Sequence, residues 1–124
     1  MHTKELNLEF GQVYVLDNIL ITELKEGLLF NAEKNQKLIE LAQDIFQGKP
    51  YGHISNRKNS YAVDPLVYRD SAKVLNLKAI AIVTDSEIVK LNVNQVERKF
   101  YRSHNSFEVF DNLDQAINWI KFKI

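Results

Sequence analysis

The sequence predicts an α/β fold, a mixed and mostly parallel sheet opened by an N-terminal β-hairpin and packed with about four helices. Three observations carry this expectation. The apolar period switches repeatedly between that of a strand and that of a helix, giving the order β-hairpin, α, β, α, β, α, β, α expected of parallel strands joined by crossover helices. The run Ala79-Ile80-Ala81-Ile82-Val83 has no polar member, as suits a central strand covered on both faces. The helical segments also open on recognisable capping residues.

In chain order, Leu6, Leu8 and Phe10 alternate with polar neighbours, and the segments 12–16 and 19–24 are rich in β-branched and aromatic residues, so the first 25 residues read as strands. Asp17-Asn18 tolerates positive φ and places a tight hairpin turn between the last two. From Asn31 the period becomes helical, with Leu38, Leu41, Ala42 and Ile45 on one stripe and Gly48 and Pro50 ending it, so the helix should run to about Gln47. Tyr51 to Ser55 is a short strand, and Asn56 to Ser60 a polar surface loop. Asp64-Pro65 starts a second helix through Tyr68, Ala72 and Leu75, because Asp accepts from free N–H groups and Pro at the first position loses no needed donor. Asp85-Ser86 caps a third helix with Val89, Val93, Val96 and Phe100 at helical spacing. A strand over 107–110 follows, and Asn112 with Gln115 has the spacing of a capping box opening a last helix along Leu113, Ala116, Ile117 and Ile120.

Composition narrows the function classes. The 124 residues suit one domain, 1–124, large enough to bury a core without disulfides or a structural metal. With no Cys there is neither a thiolate metal site nor a cysteine nucleophile, and a reducing, cytoplasmic setting is expected. Met1 to Phe10 has no apolar core of a secretory signal, and no apolar run reaches membrane-spanning length. Sixteen basic and sixteen acidic residues cancel, which removes the electrostatic case for nucleic acid or an anionic membrane. Residues 1–48 hold four Lys against eight acids and residues 49–124 twelve Lys or Arg against eight, or −4 and +4.

The run Ile54-Ser55-Asn56-Arg57, Asn59-Ser60-Tyr61 and Val63-Asp64-Pro65, set after a hairpin and before repeating strand–helix units, resembles the STAS domain, the SpoIIAA-like fold of anti-sigma-factor antagonists. More narrowly, it looks like the small standalone SpoIIAA-like proteins of flavobacteria and their relatives. The resemblance covers nearly the whole chain and implies a regulatory module that binds a protein partner, with a kinase-like regulator as the partner of the wider group. Phosphorylated STAS domains carry Ser-Ser-Gly where this chain has Pro65-Leu66-Val67. Leu66 offers no hydroxyl, so the standard phosphoserine switch is expected to be absent, with Ser55 or Ser60 as a displaced substitute.

The candidate binding face is therefore Asn56, Arg57, Asn59, Ser60, Tyr61, Asp64, Tyr68 and Arg69, where the loop after a parallel strand meets a helix start. Arg57 and Lys58 either hold an anion there or form a solvated turn. A different class of function is an apolar or lipid-like ligand, lined by Tyr51, Tyr61, Leu66, Val67 and Tyr68, which could equally be core. The third is an enzyme built from Ser60, His53 and Asp64, for which no oxyanion donor can be placed. His2, His53 and His104 lack metal-ligand spacing and the four Gly are too scattered for a phosphate loop, so no cofactor is expected. Glu23, Glu26, Glu33, Glu40, Asp44 and Glu97 occupy positions expected at strand ends and helix exteriors. Arg98, Lys99, Phe100, Tyr101 and Arg102 mix cations and aromatics as nucleic-acid binders do, but the helix stripe and its dipole explain them.

Overall fold

A computed structural model describes residues 3–101 and 104–124; His2, Arg102 and Ser103 lie outside them. Three antiparallel strands, β1 (Thr3–Leu8), β2 (Gly11–Leu16) and β3 (Ile19–Leu24), lead through a short β4 (Leu29–Phe30) into α1 (Ala32–Phe46). Then follow β5 (Tyr51–Asn56), a short β6 (Ala62–Val63), α2 (Leu66–Ala72), β7 (Leu77–Val83), α3 (Glu87–Gln95), a 3-10 turn over Glu97–Phe100, β8 (Ser106–Phe110) and α4 (Leu113–Lys123). The main sheet has the order β1-β2-β3-β5-β7-β8, antiparallel up to β3 and parallel from there.

Local chemistry explains most boundaries. Asp17 takes φ 52° in the turn from β2 to β3. The Asn31 side chain accepts from the Lys34 N–H at 3.0 Å, Ser86 from Val89 at 3.3 Å and Asn112 from Gln115 at 2.9 Å, each satisfying a donor that the first helical turn leaves free. Gln47, at φ 54°, and Gly48, at φ 77°, end α1 in the left-handed region. Asp64 caps α2 as expected, its Oδ1 accepting from the Leu66 N–H at 3.0 Å.

Several elements differ from the expectation. Phe10 does not extend β1: it sits in the turn before β2 and buries its ring against Phe30, at 5.8 Å between centroids. The pair β4–β6 is too short to carry a periodic signal. The second helix stops at Ala72, leaving Leu75 exposed, and α3 ends at Gln95, so Val96 and Phe100 leave the buried stripe.

Each strand pairs with the next long strand in sequence, so the order never reverses. Crossovers between parallel strands are almost always right-handed, and three that advance in one direction put their helices on one face. The packing follows this: Leu38, Ala42 and Phe46 of α1, Val67 and Tyr68 of α2 and Val93 of α3 share a core with Leu20, Ile80 and Ile82. Only α4 covers the other face, through Ala116 and Ile120 against Ile54, Ala79 and Ala81. That face of β5 and β7 is built small, with Gly52 beside Ala79 and Ile54 beside Ala81, so α4 seats close to the backbone.

Candidate functional site

Along β5 the side chains alternate, so His53 and Ser55 point to the three-helix face and Ile54 and Asn56 to the α4 face. The backbone keeps this phase one residue beyond the strand, where the Arg57 N–H donates to Val83 O at 2.9 Å. Arg57 is thereby aimed inward. Its guanidinium meets Glu97 as a fork on a fork, Nη1 to Oε1 at 2.7 Å and Nη2 to Oε2 at 2.8 Å, while Nε donates to Ser55 Oγ at 3.1 Å. The Tyr68 hydroxyl donates to Glu97 Oε1 at 3.0 Å, and Tyr61 shares a hydrogen bond of 3.2 Å with Ser55. The Arg57 guanidinium also lies 5.9 Å from the Tyr61 ring centre.

Glu97 is 5% exposed, which corrects its assignment to a helix exterior. Arg57 is likewise corrected: it is no solvated turn residue, and both its charge and its donors are committed within the protein. Burial pulls the Arg57 pKa down, but the Glu97 carboxylate more than offsets this and leaves it raised. Burial and the same carboxylate push the Tyr68 hydroxyl well up, so it remains a donor.

Above this pair opens a cleft of about 460 Å³. Lys58, Asn59, Ser60 and Tyr61, with Val63 and Pro65, form one wall; Thr84 and Asp85 with Val89, Asn92 and Val96 form the other. It lies beyond the carboxyl ends of β5 and β7, where open parallel sheets place ligands. Of the eight expected site residues, Arg57, Asn59, Ser60, Tyr61 and Tyr68 line it. Three do not. Asn56 belongs to β5 and donates to Glu23 Oε2 at 3.0 Å, Asp64 caps α2, and Arg69 is paired with Asp70 at 3.4 Å on the surface. Asn59 holds the loop to β3 by donating to Leu24 O at 2.9 Å, and the Ser60 N–H donates to Glu26. Lys58 reaches Glu23 at 3.3 Å and is otherwise solvated.

The α3 wall was missed because the loop carried the more conspicuous polar residues. Its signal was present: Val89, Val93 and Glu97 stand at i, i+4 and i+8, and a carboxylate in phase with an apolar stripe is a buried charge in need of a partner. Of the mixed segment after it, Arg102 lies outside the described residues, and Arg98 and Tyr101 are held within the fold. Arg98 pairs with Glu108 at 2.9 Å and lies over the Phe107 ring, on which Tyr101 stacks at 5.2 Å.

His53 lies under α1 and α2, sharing a hydrogen bond of 2.9 Å with Thr22. Burial, then the Arg57 charge, lower its pKa from 6.5 to about 4. Between those values only the unfolded chain binds this proton, so stability rises with pH there. Acidification from pH 6.5 to 4 should cost on the order of 3 kcal/mol through this group. Urea unfolding of wild type and His53→Gln checks this, since the variant should lose that part of the pH slope; an unchanged slope rules His53 out as its source.

Ser60, His53 and Asp64 do not assemble: Ser60 is exposed, His53 is internal, and Asp64 is engaged at the start of α2. Among the described residues no group of three or more His, Cys, Asp or Glu could hold a metal ion, and no helix is long and apolar enough to cross a membrane. A family model described as "Domain of unknown function (DUF7793)" matches residues 13–123, and the chain belongs to that family. No curated protein matches the chain.

Proposed function

We propose that the chain is a non-enzymatic interaction module that binds a protein partner across the cleft between the 58–65 loop and α3. One observation carries the reading: α3 and the turn after it expose apolar side chains, with Ile88 75% and Leu91 55% exposed and Val96 and Phe100 also exposed, and Val96 lines the cleft as well. Several large apolar side chains exposed on and beside one helix are the kind of surface that interfaces bury. The floor supports it, since Arg57 and Glu97 cancel each other and leave no free charge to orient a reacting group. The STAS-like resemblance of the Tyr61-to-Pro65 approach points to the same end of the molecule. In this reading control by a phosphoserine at the α2 start is absent, as Leu66 has no hydroxyl.

The apolar-ligand alternative finds less support. Tyr51 stacks on Phe46 at 4.8 Å at the opposite end of β5, and the narrow space beside Tyr61, Val67 and Tyr68 is about 40 Å³. Ligand cavities are about 300–1,000 Å³; the cleft falls in that range, but Lys58, Asn59, Ser60, Thr84 and Asp85 line it, and of the five residues expected around an apolar ligand it takes in Tyr61 and Tyr68 alone.

The test is affinity capture followed by binding of the purified partner to wild type, Leu91→Asp with Val96→Asp, and Phe122→Asp. Phe122 is exposed on α4, across the sheet, and serves as the control. Burying a charge at an interface core should weaken binding at least about tenfold in the α3 variant and leave the control unchanged. Equal binding by all three would place the partner elsewhere.

A further inference from the structure

The helices α1, α2 and α3 follow the parallel strands β3, β5 and β7 on one face of the main sheet. Residues 25–31 before α1 and 57–65 before α2 each contain a short strand, β4 and β6, and the two pair in parallel. Residues 84–86 before α3 contain none, so this small sheet stops one strand short of α3. The cleft occupies that place: Val63 of β6 lines one side and Thr84, Asp85 and Ser86 the other, while no residue of β4 lines it.

The edge of β6 turned away from β4 is chemically open. Toward β4, the Ala62 N–H donates to Leu28 O at 2.9 Å, the Asp64 N–H donates to Phe30 O at 3.0 Å, and Ser60 O accepts from the Gly27 N–H at 2.8 Å. Backbone groups alternate in direction along a strand, so those of Tyr61 and Val63 point the other way. Among the described residues, nothing hydrogen-bonds to the main-chain N–H or C=O of either. Both residues are half-buried and line the cleft. An unpaired edge of this kind is a template for another strand.

We propose that the partner of the cleft contributes an extended segment that pairs with β6 as the third strand of the small sheet, which rests on the interface reading above. Side chains of an added strand alternate between its two faces. The one beside Val63 turns inward with it, toward the apolar groups packed around Val89 and Val93, and is apolar; its neighbours turn outward beside exposed Ala62. Of the charges on the wall, Arg57 is paired with Glu97 and Lys58 with Glu23, whereas Asp85 is exposed and has no ion-pair partner among the described residues. The segment that fits therefore also carries a Lys or Arg.

Selection of a phage-displayed library of random linear peptides on the full chain, followed by binding of the synthetic peptides, tests this. Recovered sequences should share an apolar residue between polar ones with a Lys or Arg nearby, a preference that Asp85→Asn should remove. The Tyr61 and Val63 amides should gain protection from hydrogen exchange on binding. N-methylation at successive peptide residues should weaken binding at least about tenfold at every second position, because only alternate amides face β6. Val63→Pro deletes the N–H aimed at the cleft but neither bond to β4, and should lose the peptide, whereas Val63→Thr should keep it. A flat N-methyl scan, or unprotected Tyr61 and Val63 amides in the complex, overturns the proposal in the wild type, whether or not the Pro variant folds. So does failure to recover any binding peptide. With the purified protein partner, a loss in Leu91→Asp with Val96→Asp but none in Val63→Pro would keep the interface and overturn strand addition; equal binding by all would overturn the interface itself.

Discussion

Glu97→Ala should lower the unfolding free energy by about 3–5 kcal/mol, because it strands a buried guanidinium instead of merely deleting a contact. Glu97 accepts both terminal nitrogens of Arg57 and the hydroxyl of Tyr68, so three donors lose their acceptor together. Domains of this size are stable by only about 5–15 kcal/mol, so the variant should lose a large share of its stability. Glu97→Gln keeps the volume and an acceptor for Tyr68 but not the charge, and should fall between the two. The double variant Arg57→Met with Glu97→Leu should be much milder than the single one, since replacing a whole buried pair with apolar side chains is often close to neutral. Urea titrations of the four proteins decide it. A loss below about 1 kcal/mol in Glu97→Ala would mean that the pair behaves like a solvated surface bridge.

Gly52→Ala should be nearly as damaging, for a steric reason. A Cβ at Gly52 would stand 2.3 Å from Ile120 Cγ2 and 3.0 Å from its Cδ1, and Ile120 is fully buried on the close-fitting face of α4. Either α4 lifts or Ile120 leaves its rotamer, at a cost of about 1–3 kcal/mol. Ile120→Ala alone should cost about 2–5 kcal/mol as a cavity. In combination the two changes should be strongly non-additive, because the second removes the atoms with which the first collides. Thermal melts of the singles and the double measure this coupling, and simple additivity would show that Gly52 fails for some other reason.

The sequence carried the fold because its signals are local. Asn31, Asp64, Ser86 and Asn112 each cap the helix expected of them, and the alternation of small and large residues in Ala79 to Val83 foreshadows a sheet with one close-packed and one bulky face. The candidate site was half legible. Loop position led to Asn59, Ser60 and Tyr61, but the roles of Arg57 and Glu97 depend on strand phase and on a contact across 40 residues. The sequence pattern ends the strand at Ser55, whereas β5 runs to Asn56 and Arg57 keeps the inward phase of His53 and Ser55. Spacing puts Val96 and Phe100 on a helical stripe, but α3 ends at Gln95 and the tighter turn after it leaves both exposed. Chain termination of helices and pairing of distant charges are tertiary outcomes, and spacing alone does not encode them.

The unbroken strand order has a consequence for how the chain assembles. Every long strand docks on one already made, so the sheet can be laid down from the amino terminus without leaving a gap for a later segment to enter. Each closing step spans at most one helical crossover, which limits its entropy. The β1–β3 meander forms from the first 24 residues, and each following helix–strand unit extends the sheet on its β3 side. A chain emerging from the ribosome can thus build its sheet in the order of synthesis, and the Arg57–Glu97 pair closes only when α3 arrives.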